Sequence, residues 1–199
     1  MAWLKSQVAG AHPDRAIFAI ALHADPVADR ALEELVATTQ PEHVRERTAF
    51  WLGNARAAHG VDLLRRMLAT DPSPKVREQV IFAIAQSERP AAMEAVIDAA
   101  RNHNDTHIRS RALFWIARKA AGKQAQEVIG NAVLHDPDRA VREQAVFALK
   151  QLPENRGVPL PIDVAKTNSD PSIRKKAMFW LGQSKDPRAL DFFAQVLKP

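Results

Sequence analysis

No cysteine occurs among the 199 residues, which excludes disulfides, thiolate nucleophiles and cysteine-based zinc or iron–sulfur sites together. Nor does any stretch approach the roughly 18 consecutive apolar residues of a membrane-spanning helix. The N-terminus lacks the basic segment followed by an apolar one that marks a signal peptide. The chain is therefore expected to be soluble and not self-targeting. Its start at Met1-Ala2-Trp3 and its stop at Lys198-Pro199 are equally compatible with a piece excised from a longer exported protein, so the compartment stays open. Ser-His-Asp arrangements, glycine-rich phosphate loops and clustered carboxylates are missing too. No catalytic, cofactor-binding or metal-binding residue is assigned, and the chain is read as a non-enzyme.

What is present is a core-forming composition, 46% hydrophobic and 26% charged, far from the disordered regime. The formal charge of +5 and a pI near 9.8 raise a nucleic acid or an anionic surface as a partner, but only if the cations gather on one face.

A ten-residue block recurs: Val44–Gly53 (VRERTAFWLG), Val76–Ala85 (VREQVIFAIA), Ile108–Ala117 (IRSRALFWIA), Val141–Lys150 (VREQAVFALK) and Ile173–Gly182 (IRKKAMFWLG). Phe18 extends the series, so its six phenylalanines are 18, 50, 82, 114, 147 and 179, spaced 32, 32, 32, 33 and 32 residues apart. A second apolar segment follows each block, as in Val61-Asp62-Leu63-Leu64. Block positions 1, 5, 8 and 9 are apolar in most copies and make a helical stripe, and strand-like alternation is absent. The pairs Asp25-Pro26, Asp71-Pro72, Asp136-Pro137, Asp170-Pro171 and Asp186-Pro187 read as an N-cap acceptor followed by a residue preset for the first turn. Two short helices per repeat cannot bury their apolar faces alone, so copies must stack. The expectation is an all-α, right-handed α-solenoid of about six hairpins. It forms a single domain over 1–199 with repeats at roughly 10–40, 41–72, 73–104, 105–137, 138–169 and 170–199, and residues 1–9 as an N-terminal capping helix. In the fifth copy, Gly157-Val158-Pro159-Leu160-Pro161 predicts a second helix that is short or begins late.

The pattern D-P-x-x-V-R-x-x-A-x-x-A-L-G, with a short turn into A-x-x-x-L, resembles HEAT repeats of the phycobilisome-lyase-like class over nearly the whole chain. The resemblance implies the solenoid fold. It leaves function open, because such arrays include scaffolds, adaptors, inhibitors, a bilin lyase group and a group of DNA glycosylases.

A finer rhythm overlies the repeat. The residue after each Phe alternates Ala19, Trp51, Ala83, Trp115, Ala148, Trp180, and block position 4 alternates Arg47, Gln79, Arg111, Gln144, Lys176. The structural unit is thus a pair of hairpins, with the tryptophans expected at core positions where large meets small. Arg45, Arg77, Arg109, Arg142 and Arg174 form a ladder at block position 2. They are expected to bridge to the loop of an adjacent repeat rather than to bind anions, as exposed links of about 0–1 kcal/mol each. The Phe series lies about 145° from the centre of the apolar stripe. Either the rings wedge between neighbouring first helices, the favoured reading, or they form a partly exposed ridge. His103 and His107 flank Asp105 at a metal-pair spacing, but the segment reads as an inter-repeat turn.

The resemblance further implies that second helices line a concave groove. Their outward positions hold Arg30, Glu34, Asp62, Arg66, Glu94, Asp98, Glu127, Asp163, Asp191 and Gln195. Acids dominate, so the groove is expected to take a basic or polar protein segment and to repel a phosphate backbone. Glu34, Asp62, Arg66, Glu94, Asp98, Glu127, Asp163 and Asp191 are the partner-binding candidates of a non-enzymatic interaction scaffold. The alternative is a nucleic-acid-binding or DNA-glycosylase-like protein, for which a nucleic acid would need basic residues in the groove; a bilin lyase ranks below both. Oligomeric state is not assigned.

Overall fold

A computed structural model describes residues 1–10, 12–120, 122–152 and 158–197. Among these, every helix or strand is an α-helix, thirteen in all. Helix α1 (Ala2–Val8) precedes six pairs. They are α2 (Pro13–Leu22) with α3 (Val27–Leu35), α4 (Glu42–Ala55) with α5 (Ala57–Thr70), and α6 (Pro74–Gln86) with α7 (Pro90–Asn102). Then come α8 (Thr106–Lys119) with α9 (Gly122–His135), α10 (Arg139–Lys150) with α11 (Pro159–Thr167), and α12 (Pro171–Gly182) with α13 (Pro187–Val196). Packing divides the chain into two compact units, residues 1–96 and 97–199, the division falling inside α7.

Each unit is an α-solenoid layer stack. In the first, α2 packs on α4 and α4 on α6; in the second, α8 packs on α10 and α10 on α12. Second helices close on their own first helix and on the next one, as α5 does on α4 and α6, and α11 on α10 and α12. The sequence stripe explains this arrangement. Block position 1 (Val44, Val76, Ile108, Val141, Ile173) and position 9 (Leu52, Ile84, Ile116, Leu149, Leu181) are buried throughout. Each large aliphatic side chain so buried is worth about 1.5–3 kcal/mol relative to exposure. Position 8 departs from expectation. Ala83 and Ala148 are buried, but Trp51, Trp115 and Trp180 are only half-buried, so the indoles are not core residues. Two of the indoles pack instead against a phenylalanine of the preceding first helix, Trp51 on Phe18 and Trp180 on Phe147.

Helix starts follow local capping, with one correction. Asp170 and Asp186 cap α12 and α13, each Oδ1 accepting at 2.9 Å from the backbone N–H two residues on, and Pro171 and Pro187 stand in the first turn. Asp71 and Asp136 do not cap: Ser73 caps α6 and Asp138 caps α10. In those two Asp-Pro pairs the aspartate lies two residues before the cap, where it is buried at 3% and 9% exposure. Asp25 accepts from Val27 N–H at 2.8 Å, while Pro26 occupies the cap position of α3. Helix α11 begins at Pro159 and runs nine residues, the short late helix its prolines predict; Gly157 lies outside the described residues.

Close backbone approach fixes one layer contact. A Cβ on Gly53 of α4 would stand 2.5 Å from the Ala83 carbonyl oxygen of α6, so glycine is required for these helices to touch.

Candidate partner-binding surfaces

The arginine ladder is internal architecture. Each of Arg77, Arg109, Arg142 and Arg174 donates through Nη1 to two carbonyls of the loop that precedes its helix; Arg77 reaches Asp71 O at 2.8 Å and Arg174 reaches Asn168 O at 2.7 Å. Arg45 donates likewise to Gln40 O. Three of these arginines also reach forward to the next loop, in two ways. Arg45 grips Asp71 at 2.7 and 3.1 Å, and Arg109 grips Asp136 at 2.9 and 2.9 Å, both as buried forks. Arg142 instead makes one contact of 3.3 Å with the capping Asp170, at 21% and 27% side-chain exposure. The expectation of uniformly exposed links is therefore corrected for Arg45 and Arg109, which are 6% and 7% exposed. Hydrogen bonding to Asp71 and Asp136 raises both guanidinium pKa values, against a smaller opposing effect of burial.

The first loop residue has a second duty. Asp71 and Asp136 accept from the N–H two residues on, each at 2.9 Å, and His103, Asn168 and Ser184 do the same in their loops through Nδ1, Oδ1 and Oγ at 3.0–3.1 Å. His103 and Asp105 are thereby placed in a capping arrangement, with Asp105 accepting from His107 N–H at 2.9 Å. Among the described residues no group of three His, Cys, Asp or Glu side chains could hold a metal ion.

On the second helices the candidates are exposed, but they are not all brought together. Glu34 on α3 is ion-paired with Lys5 of α1. Arg66 on α5 pairs with Glu33 at 3.3 Å, and Asp98 on α7 accepts from Asn102 at 2.7 Å. Asp62 on α5, Glu94 on α7 and Glu127 on α9 stand out into solvent, as does Arg30 on α3. Asp163 of α11 and Asp191 of α13 do converge. With Ile162, Lys166, Arg188 and Gln195 they line a groove of about 300 Å³ alongside the Phe192 ring. Sequence reasoning missed the cations Lys166 and Arg188, three residues from each carboxylate on the same helix face. It also missed Glu33, Arg65 and Lys123, which are exposed on second helices too.

The aromatic series forms the other surface. Phe18 and Phe179 are 39% and 55% exposed, whereas Phe50, Phe82, Phe114 and Phe147 are half-buried. Each unit builds one clasp. Trp51 lies against Phe18 of the preceding first helix at 4.5 Å and against its own neighbour Phe50 at 5.0 Å; Trp180 repeats this with Phe147 at 5.0 Å and Phe179 at 4.9 Å. The rings thus both bridge first helices and stay partly in water, combining the wedge and the ridge. Between α4 and α6, Phe50 and Phe82 line a groove of about 410 Å³ with His43, Glu46, Arg47 and Gln79.

The stacked hairpins, with a 32-residue rhythm and inter-loop arginines, match a family model for HEAT repeats over residues 28–117 and 127–199. The chain belongs to the HEAT-repeat family. Among solved structures, this HEAT array is similar to a chain in the complex described as Kap95p binding that induces the switch loops of RanGDP to adopt the GTP-bound conformation. The TM-score is 0.51 at 18% identity, over 84% of this chain and 27% of that one. The HEAT chain here thus spans about a quarter of that relative's length. Human deoxyhypusine hydroxylase in complex with glycerol is similar at a TM-score of 0.48 and 13% identity, over 98% of this chain and 84% of that one. A search of curated proteins finds no match. At these identities the structural likeness shows the fold alone.

Proposed function

We propose that this HEAT array is a non-enzymatic scaffold that holds another protein, engaging a basic or polar segment through its second helices. The observation that carries the reading is the convergence of Asp163 and Asp191, from successive second helices, with Gln195 on one groove beside Phe192. Two carboxylates there can accept from lysine or amide donors, while the phenyl ring offers apolar contact. Lys166 and Arg188 temper the negative potential and favour a segment of mixed polarity over a run of bare lysines. The more isolated Asp62, Glu94, Asp98 and Glu127, with the ion-paired Glu34 and Arg66, would extend the same interface along the second helices of each unit.

The test is titration calorimetry with a synthetic peptide of alternating lysine and serine. The double variant Asp163→Lys, Asp191→Lys is expected to bind about tenfold or more weakly, about 1.4 kcal/mol or more of binding free energy. Equal affinity of variant and parent would refute the reading.

A further inference from the structure

The first helices of the second unit carry a charge pattern that the second-helix groove does not use. Around Phe114, Phe147 and Phe179, block positions 3, 4, 10 and 11 present Arg111, Arg118, Lys150, Lys175 and Lys176. On those positions one carboxylate stands among them, Glu143, and it is already engaged by Arg139 at 3.2 Å and Lys176 at 3.7 Å. Two of the cations sit over the rings themselves: Lys150 Nζ lies 4.4 Å from the Trp180 ring centre, and Arg118 lies 5.5 Å from that of Phe114. The corresponding face of the first unit is more balanced, with Glu46 and Glu78 at position 3 and Arg47 held by Asp14 at 3.2 Å. The overall charge of +5 is therefore concentrated in part on an aromatic surface.

We infer that the Phe147–Trp180–Phe179 ridge, with Lys150, Lys175 and Lys176, is a docking surface for an acidic peptide segment that also carries apolar side chains. It rests on the scaffold reading but uses a different face for a partner of opposite charge. Charge complementarity selects the acidic residues, since carboxylates meet Lys150 and Lys175 and the one acid nearby, Glu143, is already engaged by Arg139 and Lys176. The exposed half of Phe179 and the flanks of its neighbours select apolar side chains, whose burial removes both surfaces from water. Ring geometry selects a peptide over a nucleic acid. Single-stranded nucleic acid binds by stacking bases on open ring faces. Here Trp180 meets Phe179 at 73° and Phe147 at 48°, and Lys150 covers the indole, so the rings form a closed strip instead of separate platforms.

The experiment is fluorescence anisotropy at physiological salt on the full chain, with a labelled peptide of alternating glutamate and leucine. Saturable binding is expected, with a tenfold or greater loss in the variant Lys150→Glu, Lys175→Glu and a similar loss in Phe179→Ser. Both variants change exposed side chains but give up a contact with the Trp180 ring, so their melts are read beside the anisotropy; Lys175→Glu alone should melt with the parent and still bind more weakly. The inference is overturned if the glutamate–leucine peptide fails to bind, if oligoglutamate without leucine binds equally well, or if oligothymidylate binds more tightly. It is also overturned if Asp163→Lys, Asp191→Lys abolishes binding of the glutamate–leucine peptide, which would place it in the second-helix groove. Because that double variant is expected to leave this peptide untouched while releasing the lysine–serine one, either reading can fail without the other.

Discussion

Arg45 and Arg109 sit at a depth where a guanidinium is tolerated only with its carboxylate in place. Removing Asp71 would leave Arg45 buried with one backbone contact, and breaking such a pair costs about 3–5 kcal/mol. Asp71→Ala should therefore lower the urea midpoint far more than Lys75→Ala, whose 3.6 Å contact with Glu42 is exposed and worth about 0–1 kcal/mol. Similar losses in both would refute the distinction. Asp170 offers a pH-dependent counterpart. Ser172 donates to it through its hydroxyl and its backbone N–H, with Arg142 adding a smaller effect, and its pKa falls from 3.8 to about 2. The folded-state value is depressed, so the stabilisation is present in full above about pH 4 and is lost as pH falls towards 2. Asp170→Asn should flatten the melting temperature against pH in that window. An unchanged slope would show that Asp170 does not contribute there.

At the scale of the helix, two glycines at the same block position predict opposite outcomes. Gly53→Ala pushes a methyl to 2.5 Å from the Ala83 carbonyl, so α4 and α6 must separate and thermal stability should fall. Gly182 has nothing within 4 Å of the same added atom, and alanine there should stabilise the end of α12 by about 0.5–1 kcal/mol. Melting both variants checks the pair. The hairpins themselves were legible in the sequence because the 3.6-residue stripe and the prolines act locally. What was not legible depended on the layer above or below. The indoles occupy the same block position as Ala83 and Ala148, and only the rings of the preceding first helix, Phe18 and Phe147, show where two of them lodge. Asp71-Pro72 and Asp170-Pro171 are identical as dipeptides, yet one carboxylate turns inward to an arginine 26 residues earlier and the other caps its own helix. Charge on the second helices was misjudged for a similar reason: Lys166 and Arg188 share a face with Asp163 and Asp191, but only the fold of α11 against α13 gathers all four.

Across the whole molecule the same alternation appears in two chemistries: indole against methyl at block position 8, and arginine or lysine against glutamine at block position 4. These do not shift independently, and the result is a rule of parity for building with the chain. Excising residues 138–169 would join Asp136-Pro137 directly to Asp170-Pro171, preserving a buried acceptor for Arg109 and a cap for α12. The spliced loop is chemically intact, but Trp180 would follow Trp115 on successive rungs where each indole now follows an alanine. The shortened protein should melt below the parent, and Trp180→Ala in that background should recover part of the loss, although the same substitution in the parent removes the Phe147–Trp180 contact and destabilises it. A substitution that harms the even-numbered array and helps the odd-numbered one would show that this scaffold changes length in steps of two hairpins.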